Sequence, residues 1–146
     1  RIVRIFNTYG PRMRKNDGRA IPNFINQALN NENFTVYGDG TQTRSFCYID
    51  DTVKGIHKLL MSNYKLPVNI GNPTEHNINN LVKVIKSKIN TRSKIIYMDL
   101  PENDPKTRKP SIDLAKNVLQ WEPKISLSKG LDITIKFFNK LYTFKS

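Results

Sequence analysis

One stretch, residues 34–51, constrains the fold more than any other part of the sequence because it combines strand, turn, strand and helix signals. Phe34–Tyr37 is a short run of strand-forming residues, and the Gly38-Asp39-Gly40 cluster after it can adopt the positive φ of a tight turn. Residues 45–49 predict a second short strand. The two aspartates that follow predict the N-cap of a helix, because a short carboxylate accepts hydrogen bonds from free backbone N–H groups; they are Asp50 and Asp51.

The segment between these two predicted strands carries Gln42 and Arg44. An arginine in a segment held at both ends presents a planar fork of donors, which suits a phosphate or a carboxylate. The alternative is a plain hairpin in which Arg44 is a solvated loop charge. The segment alone does not decide between the two.

The composition indicates one intracellular globular domain. The chain has 146 residues, 38% of them hydrophobic, and no apolar run approaches the ~20 residues of a membrane span. No signal peptide is recognisable, so we expect a cytoplasmic protein, although a Golgi-type anchor upstream of Arg1 stays open. The single cysteine, Cys47, excludes a disulfide framework and predicts a buried, inert thiol.

The net charge of +12 calls for an anionic partner, unless the excess lysines serve only solubility or are compositional background. Nucleic acid is disfavoured, because the positive charge is dispersed and no helix-turn-helix, zinc-finger or RNP-type pattern is present. No histidine or cysteine cluster has metal-ligand spacing, so no metal is expected. A phosphorylated small molecule would use only a few of these charges, and residues 12–19 form one basic loop that could face it.

Strand and helix patterns alternate along the chain, which predicts an α/β layer structure. The predicted strands are residues 1–6, 34–37, 45–49, 66–71 and 94–98. The predicted helices carry apolar stripes at Ile21, Phe24, Ile25, Ala28 and Leu29; at Val53, Ile56, His57 and Leu60; at Ile78, Leu81, Val82, Ile85 and Ile89; and at Leu131, Ile135, Phe138 and Tyr142. A shorter helix is predicted to end at Leu119, before Trp121. Asn77 and Ser111 are predicted helix caps, and residues 99–110 a loop.

Four motifs stand in order along the chain, and together they resemble one family. They are RIFNTYGPRM at residues 4–13, VYGDGTQTRSF at 36–46, NIGNP at 69–73 and DPKTRKP at 104–110. The chain resembles the extended short-chain dehydrogenase/reductase family of nucleotide-sugar enzymes, and within it the UDP-glucuronate decarboxylases, or UDP-xylose synthases. The match extends over nearly the whole chain.

The resemblance implies an α/β fold in which residues 1–146 are the C-terminal, nucleotide-sugar-binding portion, with late Rossmann strands and the small domain. It implies NAD-dependent decarboxylation of UDP-glucuronate to UDP-xylose by the intact enzyme, which we expect to be a homodimer. The family's glycine-rich NAD turn and Tyr-x-x-x-Lys pair are both missing from this sequence. The N-terminal NAD-binding half is therefore expected to be absent, and no catalytic residue is expected in this chain.

The resemblance also implies substrate-binding residues, namely Asn7, Arg12, Thr35, Val36, Tyr37, Gln42, Arg44 and Arg108. Arg44 and Arg108 match positions that grip the diphosphate or the adjoining ribose, and Asn7 matches an amide contact to the phosphate–sugar region. Tyr37 matches the segment that receives uracil, together with the backbone of Thr35 and Val36. Arg12 matches a position near the sugar carboxylate.

Two other functions stay open. A sibling nucleotide-sugar 4,6-dehydratase or epimerase would share the fold without decarboxylation. A basic, non-enzymatic module that binds nucleic acid or protein is the other, but it has no reason to keep these motifs in this order. The chain departs from the family at Ser111, where an aspartate is usual.

Overall fold

The computed structural model describes residues 1–15, 17–100 and 107–143, with side chains up to residue 141, and confirms the α/β class. The strands are β1 (Val3–Ile5), β2 (Thr8–Tyr9), β3 (Phe34–Tyr37), β4 (Thr43–Ser45), β5 (Cys47–Tyr48), β6 (Val68–Ile70), β7 (Glu75–Asn77), β8 (Ile95–Met98) and β9 (Thr107–Arg108). The helices are α1 (Ala20–Leu29), α2 (Ile49–Met61), α3 (Ile78–Lys88), α4 (Asp113–Leu119) and α5 (Leu127–Thr143).

Most strand contacts are parallel pairs between segments far apart in sequence. β1 pairs with β6, β2 with β5, and β3 with β8, all parallel. A three-stranded sheet has the order β7-β4-β9, with β4 antiparallel to β7 and parallel to β9. Parallel neighbours need long crossovers, which here contain the helices.

The structure has no hairpin between β3 and β4, because the two strands belong to different sheets. The predicted second strand at residues 45–49 is wrong in its bounds: it is split into β4 and β5, and Ile49 already belongs to α2. Thr43 and Arg44, expected in the connecting segment, lie in β4. Gly38 and Gly40 do adopt positive φ, at 64° and 74°, as the turn prediction requires.

The prediction that Asp50 and Asp51 cap α2 is wrong. Tyr48 occupies the N-cap position without a side-chain hydrogen bond, and both aspartates lie in the first helical turn. Asp51 is buried, and its Oδ2 accepts the backbone N–H groups of Lys124 and Ile125, at 2.9 and 2.8 Å. Its carboxylate therefore fixes the segment that leads into α5.

The two other predicted caps differ in outcome. Asn77 caps α3, since its side-chain oxygen accepts the N–H of Asn80 at 2.7 Å. Ser111 does not cap α4: the N-cap is Ile112, and the Ser111 hydroxyl donates to Asp113 instead. In the predicted loop at 99–110, residues 101–106 lie outside the described part of the chain, and Arg108 lies in β9.

The helices of the main core present the faces that the sequence predicts. Ile25 and Ala28 of α1, Leu81 of α3, and Leu131 and Phe138 of α5 are buried together. The stripe on α2 is different: the buried side of this helix is formed by Asp51, Thr52, Gly55 and Leu59. Its apolar stripe faces outward, with Val53 54% and Leu60 64% exposed.

Candidate functional site

A cavity of about 300 Å³ lies between the carboxyl-terminal ends of several strands and the start of α1. Its polar lining includes Asn7 and Thr8, Arg19, Thr35 and Tyr37 of β3, Gln42, Arg44 of β4, and Arg108 of β9. Its apolar floor includes Phe24 of α1, Phe46 and Ile78. Residues more than 100 positions apart in sequence thus meet at one place.

The structure brings six of the eight predicted site residues to this cavity: Asn7, Thr35, Tyr37, Gln42, Arg44 and Arg108. The other two lie elsewhere. Arg12 is an exposed loop residue with φ of 67° and is not part of the lining. The Val36 side chain is fully buried in the core, and Val36 is not part of the cavity lining.

Arg44 and Arg108 are brought together by the sheet. The parallel register pairs Arg44 of β4 with Arg108 of β9. The guanidinium of Arg44 also donates from Nη1 to the Thr43 carbonyl, at 2.7 Å. Two guanidinium groups on adjacent strands can present a double fork to one phosphate-containing ligand.

A third arginine, Arg19, lines the cavity from the start of α1. No sequence motif had marked it as a site residue. It forms an ion pair with Asp17 through Nε and Nη2, the second at 2.8 Å. Its Nη1 donates to the Thr8 carbonyl at 3.3 Å. Arg19 lowers the pKa of the Asp17 carboxyl, chiefly through the side-chain hydrogen bond between the two residues. In sequence, Arg19 was only one of several cations in a basic loop.

The charge balance of the cavity favours an anion. Among the described residues that line it, three are arginines and none is a carboxylate. Asp17 is adjacent, bound to Arg19, but is not part of the lining. With arginines above an apolar floor, the cavity can hold an anionic group next to a flat or apolar one.

The free edge of β3 adds backbone groups. Phe34 donates its N–H to the carbonyl of Lys94, just before β8, and Gly38, just after β3, donates to Met98 of β8, so the even-numbered residues of β3 face that strand. Thr35 and Tyr37 therefore direct their backbone groups to the opposite edge, next to the cavity. The Thr35 N–H donates to Gln27 Oε1 at 3.2 Å. Among the described residues, this leaves the Thr35 carbonyl as an acceptor and the Tyr37 N–H as a donor on that edge.

Gln42 fixes the turn between β3 and β4. Its Nε2 donates to the Tyr37 carbonyl at 2.6 Å, and its own carbonyl accepts the N–H of Ile78. Gly40 closes the turn at positive φ, and a Cβ there would lie 2.3 Å from Asn79 Oδ1. A larger residue would displace Asn79, so only glycine fits this turn without rearrangement.

Other groups in the described residues add no reactive centre to this cavity. Burial raises the pKa of the Cys47 thiol to about 11, which keeps it protonated. The described chain contains no group of three or more His, Cys, Asp or Glu side chains able to hold a metal ion. None of its helices is long and apolar enough to cross a membrane. A larger groove of about 710 Å³ on the outer side of α2 contains none of the predicted site residues.

Comparison with known proteins agrees with this geometry. The sequence profile of the NAD dependent epimerase/dehydratase family matches residues 1–71. UDP-glucuronic acid decarboxylase 1 of Xenopus tropicalis is 49% identical over 140 residues, which cover 96% of this chain and 33% of the relative. UDP-glucuronic acid decarboxylase 3 of Arabidopsis thaliana is 50% identical over 133 residues, 91% of this chain and 39% of the relative. The chain thus spans about a third of the length of these relatives.

Solved structures of two epimerases share the fold. UDP-glucuronic acid 4-epimerase from Bacillus cereus, in complex with UDP-glucuronic acid and NAD, superimposes with a TM-score of 0.89 and 31% identity. The match covers 97% of this chain and 45% of that protein. UDP-glucose 4-epimerase from Thermotoga maritima, with UDP-glucose, gives a TM-score of 0.92 at 28% identity over 96% of this chain and 46% of its own.

Proposed function

We propose that this chain belongs to the NAD-dependent epimerase/dehydratase family of nucleotide-sugar enzymes and forms the UDP-sugar site of a UDP-glucuronate decarboxylase. The main support for this proposal is the positive charge of the side chains that line the cavity. Three arginines and no carboxylate line the cavity among the described residues, and UDP-glucuronate carries three negative charges, two on the diphosphate and one on the sugar. Charge-assisted, forked hydrogen bonds from arginine suit both kinds of group.

Arg44 and Arg108 bind the diphosphate in this proposal, because their strands place them side by side. The free edge of β3 binds the uracil. The Thr35 carbonyl accepts the uracil N3–H, and the Tyr37 N–H donates to a neighbouring uracil carbonyl. Val36 contributes indirectly, because it is paired with β8 and so helps to fix the position of β3. Asn7 lines the cavity, where its side-chain amide would reach the phosphate–sugar region.

Arg19 is better placed than Arg12 to bind the sugar carboxylate. It lines the cavity, whereas Arg12 does not. In the absence of substrate Arg19 is paired with Asp17, so the substrate carboxylate would compete with Asp17 for the guanidinium. The substrate would thereby exchange one ion pair for another rather than bury an unpaired charge.

NAD oxidises the sugar in the intact enzyme, but the described residues of this chain do not fit the cofactor. The sequence contains no glycine-rich turn with which a helix N-terminus could hold the pyrophosphate. We therefore assign the NAD site and the catalytic Tyr-x-x-x-Lys pair to a separate, Rossmann-type part of the protein.

The open side of β1 is where that part would dock. Among the described residues β1 pairs with β6 alone, and Ile2 and Ile5 are each 53% exposed. The outward stripe of α2, with Val53 and Leu60, is a second uncovered apolar surface. A further parallel strand and its helix would cover both. The intact enzyme is proposed to be a cytoplasmic homodimer that does not bind nucleic acid.

A 4-epimerase is the second candidate, because the solved structures with this fold include epimerases that were crystallised with UDP-sugars. The sequence relatives at 49–50% identity are decarboxylases, which favours decarboxylation. The product distinguishes them: carbon dioxide and UDP-xylose from a decarboxylase, and the C4 epimer with its carboxylate retained from an epimerase.

Binding and turnover test the proposal separately. We expect UDP-glucuronate to bind the 146-residue chain weakly and to shift NMR signals of Thr35, Tyr37 and Arg44. NAD should not bind, and UDP-glucuronate with NAD should release no carbon dioxide. The same strands joined to a Rossmann-type half that contains the missing motifs should release it. Carbon dioxide release by the isolated chain, or shifts confined to residues remote from the cavity, would contradict the proposal.

A further inference from the structure

We propose that His76 is a further binding residue of this site, and that it takes up a proton when the diphosphate binds. The inference rests on the proposed function, since it needs the diphosphate to lie at Arg44. It adds a third side chain to the pair formed by Arg44 and Arg108 and predicts that nucleotide-sugar binding strengthens as the pH falls.

The register of the three-stranded sheet carries the inference. Arg44 of β4 is paired with His76 of β7 on one side and with Arg108 of β9 on the other. Directly paired residues on adjacent strands have their side chains on the same face, with Cβ atoms about 4.5–5.5 Å apart in antiparallel pairs. The three side chains therefore form one row across the sheet, with Arg44 in the middle. His76 is not itself part of the cavity lining, so it would reach a phosphate bound at Arg44 from the side opposite Arg108.

The acidic group nearest in sequence belongs to the opposite face. Glu75 precedes His76 in β7, so its side chain points the other way. It accepts a hydrogen bond from Thr43 Oγ1 at 2.7 Å and pairs with Lys109 at 3.3 Å. Its carboxylate is thus engaged on the back of the sheet.

The described charged groups on the His76 face are cationic. They are Arg44 from β4 and, one strand further, Arg108 from β9. The helix that follows β7, α3, has no acidic residue in its first turn. Among the described residues paired across the sheet, His76 has two arginines and no carboxylate on its face, so a bound diphosphate would supply a counter-ion.

This environment gives the direction of the proton linkage. Burial lowers the pKa of His76 below its usual value, so His76 is neutral at pH 7 in the unliganded chain. A diphosphate within a few ångströms favours the charged imidazolium. The site therefore binds a proton together with the ligand, and affinity rises as the pH falls toward the pKa of the free chain.

The experiment follows the two histidines directly. The sequence contains only His57 and His76, and His57 lies exposed on α2, remote from the row. Their imidazole proton signals are titrated by NMR between pH 5 and 8, with and without saturating UDP-glucose. This ligand is chosen because its diphosphate diester does not titrate in that range and it lacks the sugar carboxylate.

We expect saturation with UDP-glucose to raise the pKa of His76 by about 0.5–1 unit, which corresponds to a roughly three- to tenfold gain in affinity at low pH. UDP-glucose should leave the signals of His57 unchanged. His76→Gln should remove the pH dependence of affinity, His76→Lys should give tight binding across the range, and His57→Gln should behave like the wild type.

Three results would overturn the inference. One is a ligand-independent pKa for His76. Another is a His76→Gln chain that keeps the pH dependence, and the third is an equal loss of affinity at every pH, which would indicate a packing role. A wild-type chain that binds no UDP-glucose would instead overturn the proposed function itself, and the inference with it.

Discussion

Arg44 of β4 is paired in register with Arg108 of β9, so two guanidinium-bearing side chains lie side by side at one end of the cavity. Like charges on directly opposite strand positions destabilise a sheet. A dianionic ligand between them would turn this repulsion into two favourable contacts. Under the proposed function, the pair serves binding rather than stability.

Replacement of Arg44 tests this separation of binding from stability. Arg44→Ala should weaken UDP binding in the intact enzyme by roughly tenfold to a hundredfold, the scale of one charge-assisted contact of about 1.5–3 kcal/mol. The free energy of unfolding should fall by no more than about 1.5 kcal/mol, the upper scale of a single hydrogen bond such as the one that half-buried Arg44 donates to the Thr43 carbonyl. Calorimetric titration and denaturant unfolding measure the two quantities. Arg92→Ala, at an exposed arginine remote from the cavity, is the matched control. Unchanged affinity in Arg44→Ala would make Arg44 a structural charge.

The buried carboxylate of Asp51 should matter for stability instead. It accepts two backbone N–H groups, from Lys124 and Ile125. Asp51→Ala would leave both donors without this acceptor, so we expect a loss of about 2–4 kcal/mol in the free energy of unfolding. Asp50→Ala removes a neighbouring, exposed carboxylate from the same helical turn and should cost less than about 1 kcal/mol. Equal effects of the two substitutions in urea unfolding would show that only the helix dipole is involved.

Hydrogen exchange should reveal the open edge of β1. Ile2 accepts from Val68, and the Phe6 N–H donates to Ile70, so the even-numbered residues of this strand face β6. The N–H groups of Val3 and Ile5 then point to the unpaired edge. In a monomer of the 146-residue chain we expect these two amides to exchange much faster than those of residues 131–138 in α5. Strong protection of Val3 and Ile5 in a demonstrated monomer would mean that the edge has found a partner within the chain.

Cys47 should be unreactive while the chain is folded. Its side chain is fully buried, and burial raises its pKa to about 11, so only about one thiol in a thousand is ionised at pH 8. A thiol reagent at pH 8 should label the native chain at the rate of its unfolding, and should label it at once in denaturant. Rapid labelling without denaturant would show that the region around β5 opens locally.

The sequence correctly predicted the structural features that depend only on residues close together in the chain. The β3 strand, the Asn77 cap and the apolar faces of α1, α3 and α5 follow from local propensity and periodicity, and the structure has them. The order of motifs was enough to predict the resemblance to UDP-glucuronate decarboxylases, which are 49–50% identical to this chain, because that signal adds up along the whole chain. The local pattern gave a wrong prediction where a long-range contact decides the structure. The carboxylate of Asp51 was predicted to cap its own helix, but it accepts a hydrogen bond from a residue more than 70 positions away.

The sequence by itself therefore determined the α/β class, the resemblance to nucleotide-sugar enzymes and the arginines that an anion would need. The tertiary structure alone decided which cations share a cavity, because strand register is fixed by partners that no local pattern reveals. It separated Arg19 from Arg12, which stand in one basic loop, and placed His76 beside Arg44 across 32 residues of sequence. The proposed binding of a diphosphate depends on Arg44, His76 and Arg108, which become neighbours only when β4, β7 and β9 form one sheet.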